Sequence, residues 1–142
     1  MGCKLENNPK QSQGMPEPSG HLTILLVENH EDTVTYVRRF LEHYGHEVRV
    51  GRNMQEALER VEEKEPDVIL SDIGLPDGDG WNLLQRLRLK TKAYAIAMSG
   101  FGGRADLDRS LAAGYQDHLV KPFAPNKLLD ALRRAEQCRR NG

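Results

Sequence analysis

The fold of this chain is decided by the stretch Val68-Ile-Leu-Ser-Asp-Ile-Gly-Leu-Pro-Asp-Gly-Asp-Gly80. A short apolar run leads to a single carboxylate, Asp72, after which glycines and a proline interrupt the apolar pattern. This change predicts a buried strand that ends in an acid, followed by a loop rich in turns. A carboxylate at such a position either caps the next helix or takes part in chemistry. The choice depends on which other polar side chains reach the same place.

Apolar runs elsewhere in the chain also have the length of buried strands. Together with the first they predict strands β1 to β5 over residues 22–27, 46–50, 67–72, 93–98 and 117–120. Apolar residues at helical spacing predict helices α1 to α5 between and after the strands. Their expected positions are residues 31–44, a helix capped by Asn53, a helix carrying Trp81, residues 104–113 and residues 125–138. On α4 we expect Leu107 and Leu111 to face the core.

Strands and helices therefore alternate along the chain, with short connections and strands that are continuous apolar runs. That pattern predicts an α/β fold with a parallel sheet covered by helices on both faces. Right-handed crossovers leave few topologies for such a sheet. Because β2 is the most polar strand and suits a sheet edge, we predict a flavodoxin-like (βα)5 fold. Its doubly wound parallel five-stranded sheet would have the strand order 2-1-3-4-5.

Length and composition predict one domain. The chain has 142 residues, enough for a hydrophobic core, and its net charge of −1 gives no basis for direct binding to nucleic acid or membrane. Residues 1–20 are polar and predict a flexible tail or linker, followed by the domain over residues 21–139 and a C-terminal end over 140–142. No apolar run resembles a membrane span or a secretory signal. We therefore expect no membrane insertion and a cytoplasmic location.

Polar side chains follow the central strands of the predicted sheet, at the points where those strands end. Glu28 and Asn29 follow β1, Asp72 ends β3, Ser99 follows β4 and Lys121 follows β5. Since ligands of such folds bind beyond the carboxyl ends of the strands, we expect these side chains to share one site. Each of them alone could be a turn or capping residue, but their arrival at one edge of the sheet favours chemistry.

The residue types at this edge suit phosphoryl chemistry with a hard metal ion. Carboxylate, amide and backbone carbonyl oxygens are ligands for Mg²⁺. An aspartate beside a cation and a divalent metal can act as a nucleophile, and phosphoryl transfer depends mainly on positioning and charge neutralisation. We expect Lys121 and the metal to neutralise phosphoryl oxygens, and the Ser99 hydroxyl to bond one of them. Asp77 and Asp79, in the loop after β3, are then expected to be loop and helix-capping residues.

From residue 21 to 138 the chain resembles the receiver domain of bacterial two-component response regulators and hybrid sensor histidine kinases. The matching pieces are Leu-Leu-Val-Glu-Asn29, Leu-Ser-Asp72-Ile-Gly-Leu-Pro-Asp-Gly-Asp-Gly, Met-Ser99-Gly and Lys121-Pro122. The resemblance implies a signalling domain of a phosphorelay whose partner is a histidine kinase or a histidine phosphotransfer domain. It implies no enzyme activity beyond Mg²⁺-dependent self-phosphorylation and autodephosphorylation.

The resemblance also assigns roles to residues. Asp72 corresponds to the phosphoacceptor, Ser99 to the switch hydroxyl and Lys121 to the lysine that contacts the phosphoryl group. The Lys121–Pro122 bond corresponds to a cis peptide of the family. The implied Mg²⁺ ligands are Glu28, Asn29, Asp72 and the backbone carbonyl of Gly74.

Two residues depart from the family pattern. The family usually has two acids after β1, and the second position here is Asn29, a neutral ligand that predicts weaker metal binding. The family often has Tyr or Phe in β5 as the partner of the switch hydroxyl, and the matching residue here is His118. An imidazole that moves inward would make the switch sensitive to pH, whereas a partly exposed histidine at the sheet edge would have no such role.

Phosphorylation of Asp72 is expected to pull the loop after β4 inward and to change a protein-interaction face formed by α4, β5 and α5, where a homodimer could also form. The alternative that we retain is a pseudo-receiver, a binding module that is not phosphorylated because Asn29 weakens the metal site. An unrelated flavodoxin-like enzyme or nucleotide-binding protein is a further alternative, although no glycine-rich phosphate loop follows β1. The domain is expected either to stand alone or to belong to a larger protein such as a hybrid kinase.

Overall fold

The structure, a computed structural model, describes residues 21–100 and 103–141, in which strands and helices alternate as the sequence predicts. The sheet strands are β1 (Thr23–Val27), β2 (Glu47–Gly51), β3 (Val68–Asp72), β4 (Tyr94–Ser99) and β5 (Asp117–Val120). The helices are α1 (Glu31–His43), α2 (Met54–Glu63), α3 (Gly80–Leu87), α4 (Arg104–Ala113) and α5 (Pro125–Asn141). A small antiparallel ribbon of Gly74–Leu75 and Gly78–Asp79 forms the loop after β3. The tail predicted over residues 1–20 lies outside the described residues, as do two residues of the β4–α4 loop and Gly142.

The five strands form one parallel sheet in the order β2-β1-β3-β4-β5, which confirms the predicted flavodoxin-like topology. Its register aligns the carboxyl ends of the central strands, because Asp72 of β3 lies opposite Met98 of β4. Ser99 of β4 in turn lies opposite Val120 of β5. The residues that end these strands are therefore brought to one edge of the sheet.

Helices cover both faces of the sheet, as expected when its strands are continuous apolar runs. One apolar layer contains the inward residues of α1 and α5, and the other contains those of α2 and α3. The residues Ile24, Leu26, Leu70 and Ile96 face the first layer, and Leu25, Ile69, Ala95 and Ala97 face the second. Successive side chains of each strand therefore point to opposite faces of the sheet.

The helix ends follow from local side-chain chemistry. The side chain of Asn53 accepts a hydrogen bond from the Glu56 amide at 2.8 Å, which confirms it as the cap of α2. Asp79 accepts from the Asn82 amide at the start of α3. Gly45 ends α1 with φ of +88°, a conformation that other residues rarely adopt.

Helix α4 corrects one prediction. Leu111, expected to face the core, is 58% exposed, whereas its neighbour Ser110 is fully buried. Leu107 is only partly buried. The reason is that α4 meets β5 through polar contacts of Ser110, so the buried face of the helix is centred on that serine rather than on its leucines.

No helix in the part of the chain that the structure describes is long and apolar enough to cross a membrane.

Candidate functional site

Asp72 occupies the end of β3, and the backbone on both sides of it is held by neighbouring segments. The Ile73 amide donates to the Met98 carbonyl of β4 at 2.9 Å, and the Gly80 amide donates to the Ile73 carbonyl at 2.7 Å. A Cβ atom on Gly80 would lie 2.6 Å from the carbonyl oxygen of Asp72, so only glycine allows α3 to begin this close to β3. The loop after Asp72 therefore has a defined path.

Lys121 joins the two predicted acids. Its Nζ atom donates to Glu28 Oε1 at 2.7 Å and to Asp72 Oδ2 at 3.1 Å. The Glu28 side chain is almost fully buried, and its second oxygen accepts from the His30 amide at 3.0 Å. The Lys121 amide donates to the Ser99 carbonyl at 2.7 Å, which places the lysine beside the end of β4. One cation is thus shared between a buried carboxylate and the candidate acceptor.

The charge state of Lys121 follows from this arrangement. Burial by itself would lower the pKa of the Lys121 ammonium, but its hydrogen bond to Glu28 and the negative charge of Asp72 outweigh burial and raise the pKa. Lys121 is therefore a cation at neutral pH. It can balance the negative charge of the Asp72 carboxylate or of an anionic group attached to that carboxylate.

The oxygen atoms at this edge are of the kind that binds a hard divalent cation. Glu28 and Asp72 supply carboxylates, and Mg²⁺ is commonly held by one or two carboxylates together with waters. Asn29 and Gly74 are both exposed, and the Gly74 amide lies 3.4 Å from Asp72 Oδ1. Among the described residues no group of three or more His, Cys, Asp or Glu side chains is placed to hold a metal.

Ser99 and His118 are in direct contact. The Ser99 side chain is buried at the end of β4, and its Oγ atom lies 2.8 Å from Nε2 of His118 on the neighbouring strand. His118 is partly buried, and its other nitrogen, Nδ1, lies 3.0 Å from Ser110 Oγ on α4. The structure thus shows a partly exposed histidine that contacts both serines, and its role in switching stays a prediction.

Sequence reasoning missed Ser110 and the role of Trp81 beside it. The indole Nε1 atom of Trp81 donates to Ser110 Oγ at 3.1 Å, and the Arg109 guanidinium lies 4.0 Å from the centre of the indole ring. A serine between leucines on a helix gives no sequence signal of burial, because helical periodicity is counted on apolar residues.

The two aspartates of the loop after β3 lie apart from this group, as predicted. Asp77 accepts from the backbone amides of Met54 and Gln55, at 2.8 and 3.2 Å, and so caps α2 from a distant loop. Those bonds lower the pKa of the Asp77 carboxyl. Asp79 caps α3 through the Asn82 amide. Both carboxylates therefore cap the N-termini of helices.

The predicted Lys121–Pro122 peptide bond is cis. A profile of the protein family described as "Response regulator receiver domain" matches residues 24–133 of the chain. The chain belongs to this family. That membership decides against an unrelated flavodoxin-like enzyme or nucleotide-binding protein.

Individual receivers and response regulators are similar to most of this chain. An uncharacterized 14.6 kDa protein of Leptolyngbya boryana is 34% identical over 111 residues, which cover 76% of the chain and 85% of that protein. The KDP operon transcriptional regulatory protein KdpE of Escherichia coli is 34% identical over 110 residues, which cover 78% of the chain and 49% of KdpE. The chain thus spans about half the length of that regulator.

Solved receiver structures have the same fold. A two-component response regulator from Clostridium difficile superposes with a TM-score of 0.80 at 27% identity, and the match covers 84% of this chain and 98% of that one. In the receiver described here, the structure brings Glu28, Asp72 and Lys121 into contact and pairs Ser99 with His118. The other two predicted site residues, Asn29 and Gly74, are exposed to solvent at the rim of the site.

Proposed function

We propose that Asp72 of this receiver accepts a phosphoryl group from a histidine kinase or a histidine phosphotransfer domain in a two-component system or phosphorelay. The observation that carries the proposal is the position of Lys121, whose ammonium group bonds Asp72 and the buried Glu28 together. A cation held in this way beside an accessible carboxylate favours the accumulation of negative charge on that carboxylate. The domain would act in the cytoplasm of a bacterial cell, as a stand-alone receiver or as part of a hybrid histidine kinase.

In the proposed reaction a carboxylate oxygen of Asp72 attacks the phosphorus atom of the donor. The bond between oxygen and phosphorus forms as the bond between phosphorus and the donor's leaving atom breaks, and the leaving group takes the electron pair. Lys121 stays within reach of the added oxygens and balances their charge, while the Ser99 hydroxyl donates to one of them. Mg²⁺, held by Glu28 and Asp72 with Asn29 and the Gly74 carbonyl at the rim, would neutralise further charge on the phosphoryl oxygens.

The reaction proposed for the isolated domain is limited to Mg²⁺-dependent self-phosphorylation from small donors and to hydrolysis of the phosphoaspartate. The domain is therefore proposed to be a signalling module rather than an enzyme that turns over an external substrate. Its output would be a change in the face formed by α4, β5 and α5, which carries the contact between Ser110 and His118. Protein partners, including a second copy of the receiver, would bind at this face.

Asn29 favours a second candidate, a pseudo-receiver of the same fold that binds partners without being phosphorylated. Replacing an acid by an amide removes one negative charge from the metal site. If this loss abolished useful Mg²⁺ binding, the contacts of Lys121 would serve only to stabilise the fold. The two candidates differ in whether Asp72 reacts.

Incubation of the protein with acetyl phosphate and Mg²⁺, followed by intact mass measurement, tests the proposal. We expect the mass of one added phosphoryl group in the wild type and none in the Asp72→Asn variant. Asp79→Asn is the matched control, since that carboxylate caps α3, and it should still be modified. A wild type that gains no phosphoryl mass would favour the pseudo-receiver, and modification retained in Asp72→Asn would place the acceptor elsewhere.

A further inference from the structure

A line of polar contacts runs from the end of β4 to helix α3. Ser99 Oγ lies 2.8 Å from His118 Nε2, and His118 Nδ1 lies 3.0 Å from Ser110 Oγ. Ser110 Oγ in turn accepts from Trp81 Nε1 at 3.1 Å. These contacts link the end of β4 through β5 and α4 to α3, so they form a path from the proposed phosphorylation site to the helices beside it.

The hydrogen bonds in this line have a direction that the chemistry of Trp81 determines. An indole nitrogen can only donate, so Ser110 Oγ is the acceptor of that bond. Ser110 is fully buried, and among the described residues its hydroxyl has only Trp81 and His118 as partners. A buried hydroxyl proton requires an acceptor. His118 Nδ1 is the atom that can provide it.

The tautomer of His118 follows from that bond. A ring nitrogen that accepts a hydrogen bond carries no proton, so the single proton of the neutral imidazole lies on Nε2. Nε2 then donates to Ser99 Oγ. Because the Ser99 oxygen accepts from the histidine, its own proton is directed away from His118.

We propose that Ser110 is a positioning residue for the switch hydroxyl, because it fixes the tautomer of His118 and so makes Ser99 a donor toward the phosphoryl group on Asp72. Because Trp81 can only donate, it sets the donor and acceptor roles along these hydrogen bonds. A shift of Ser99 would therefore change the environment of the Trp81 indole on α3. This inference rests on the proposed phosphorylation of Asp72 for its functional part. The tautomer itself is a property of the unphosphorylated protein.

The charge around His118 agrees with a neutral ring. Burial lowers the pKa of His118 and outweighs Asp106 of α4, whose negative charge acts in the opposite direction. The other neighbours that bond the ring are the uncharged hydroxyls of Ser99 on β4 and Ser110 on α4. If Nδ1 were protonated, it could no longer accept the Ser110 proton, and the hydrogen bond between Ser110 and His118 would be lost in its present direction.

Nitrogen-15 NMR of the ring tests the tautomer directly, since protonated and unprotonated imidazole nitrogens differ widely in chemical shift. We expect the Nε2–H tautomer of His118 in the unphosphorylated wild type at neutral pH. A dominant Nδ1–H tautomer, or an even mixture of the two, would overturn the proposal.

Substitution of Ser110 separates positioning from mere packing. In Ser110→Ala the ring loses its donor at Nδ1, so we expect mixed tautomers and, because a hydrogen bond that favours the neutral ring is lost, a higher pKa of His118 than in the wild type. Ser110→Thr retains the hydroxyl and should restore the wild-type pattern, and Leu111→Ala, at the exposed neighbouring position, should leave it unchanged. An unaltered His118 titration in folded Ser110→Ala would contradict the proposal.

The coupling is read from Trp81, the only tryptophan of the chain. After treatment with acetyl phosphate and Mg²⁺ we expect a change in tryptophan emission in the wild type and in Leu111→Ala, and its loss in Ser110→Ala. An equal change in Ser110→Ala, at equal phosphoryl mass, would overturn the coupling. If the wild type gains no phosphoryl mass, the proposed function fails instead, and the NMR result alone decides the role of Ser110.

Discussion

The ammonium group of Lys121 lies 2.7 Å from the Glu28 carboxylate, although the two residues are 93 positions apart in the sequence. Only 1% of the Glu28 side chain is exposed, so its charge needs a partner inside the protein. The same ammonium group reaches Asp72. The proposed acceptor therefore depends on an ion pair that also stabilises the fold, and the two roles can be measured separately.

Replacing Lys121 by methionine, which keeps most of the side chain, should leave Glu28 buried without its cation. Loss of one member of a buried ion pair typically costs about 3 kcal/mol of unfolding free energy. Urea unfolding monitored by Trp81 fluorescence measures the change. The control is Lys64→Met, whose pair with Glu47 is about half exposed and screened by solvent, so that its loss should lower the unfolding free energy far less. Equal losses in the two variants would contradict the assignment of Glu28 as a buried charge.

Replacing Asn29 by aspartate should strengthen Mg²⁺ binding, since it adds a negative ligand next to Glu28. We expect an increase in affinity of about tenfold, equivalent to about 1.4 kcal/mol. Titration of Mg²⁺ against Trp81 fluorescence measures it, with Asn126→Asp on α5 as the control for a change in net charge alone. If Asn29→Asp bound Mg²⁺ no better than the wild type, Asn29 would not be part of the metal site.

Replacing Gly80 by alanine should destabilise the protein and displace Asp72. The added Cβ would lie 2.6 Å from the Asp72 carbonyl oxygen and 3.0 Å from Ile73 Cα, and both are backbone atoms that cannot turn away. We expect a loss of about 2 kcal/mol in unfolding free energy. Gly74→Ala serves as the comparison in the same loop, because no atom lies within 4 Å of its Cβ position. The prediction fails if both variants unfold at the same urea concentration.

His46 should make the stability of the protein depend on pH. Its Nδ1 atom accepts from the Leu22 amide at 3.1 Å, and burial, followed by the charge of His21, lowers the pKa of His46. The unfolded chain then binds more protons than the folded one, so stability is complete above the unfolded pKa of about 6.5 and falls as the pH is lowered below it.

Urea unfolding at a series of pH values below and above neutrality measures this dependence. His46→Gln should flatten it, whereas His43→Gln, at an exposed position of α1, should leave it as in the wild type. His118 contributes in the same direction because its pKa is also lowered, so part of the slope should survive in His46→Gln. A slope that His46→Gln does not reduce would show that the buried histidine is not the group that titrates.

The local parts of the fold were predictable because short-range patterns specify them. The apolar runs that became β1, β3 and β4 are continuous, and the residues that stop them are glycine, proline or a polar side chain. Asn53 and Gly45 act at their helix ends through bonds and dihedral angles within a few residues. Parallel pairing then follows from the alternation of strands and helices, so that the order of the sheet could be predicted as well.

The buried face of helix α4 was predicted less well, because the sequence of a helix does not specify which segment will pack against it. Its leucines suggested an apolar face, yet Leu111 is exposed and Ser110 is buried against His118. The polar contact outweighs the local pattern because a buried hydroxyl and a buried imidazole satisfy each other's hydrogen bonds. That pairing joins a helix to the strand that follows it and could be read only from the folded structure.

By itself the sequence determined that Asp72 ends a buried strand at an edge of the sheet where Glu28, Ser99 and Lys121 also arrive. Only the tertiary structure decided which of these atoms touch. It joined Lys121 to both acids and placed the His118 ring in contact with both Ser99 and Ser110. The physical reason is that strand ends are set by local hydrophobicity, whereas the partners of buried charges and hydroxyls depend on distances between segments far apart in the chain.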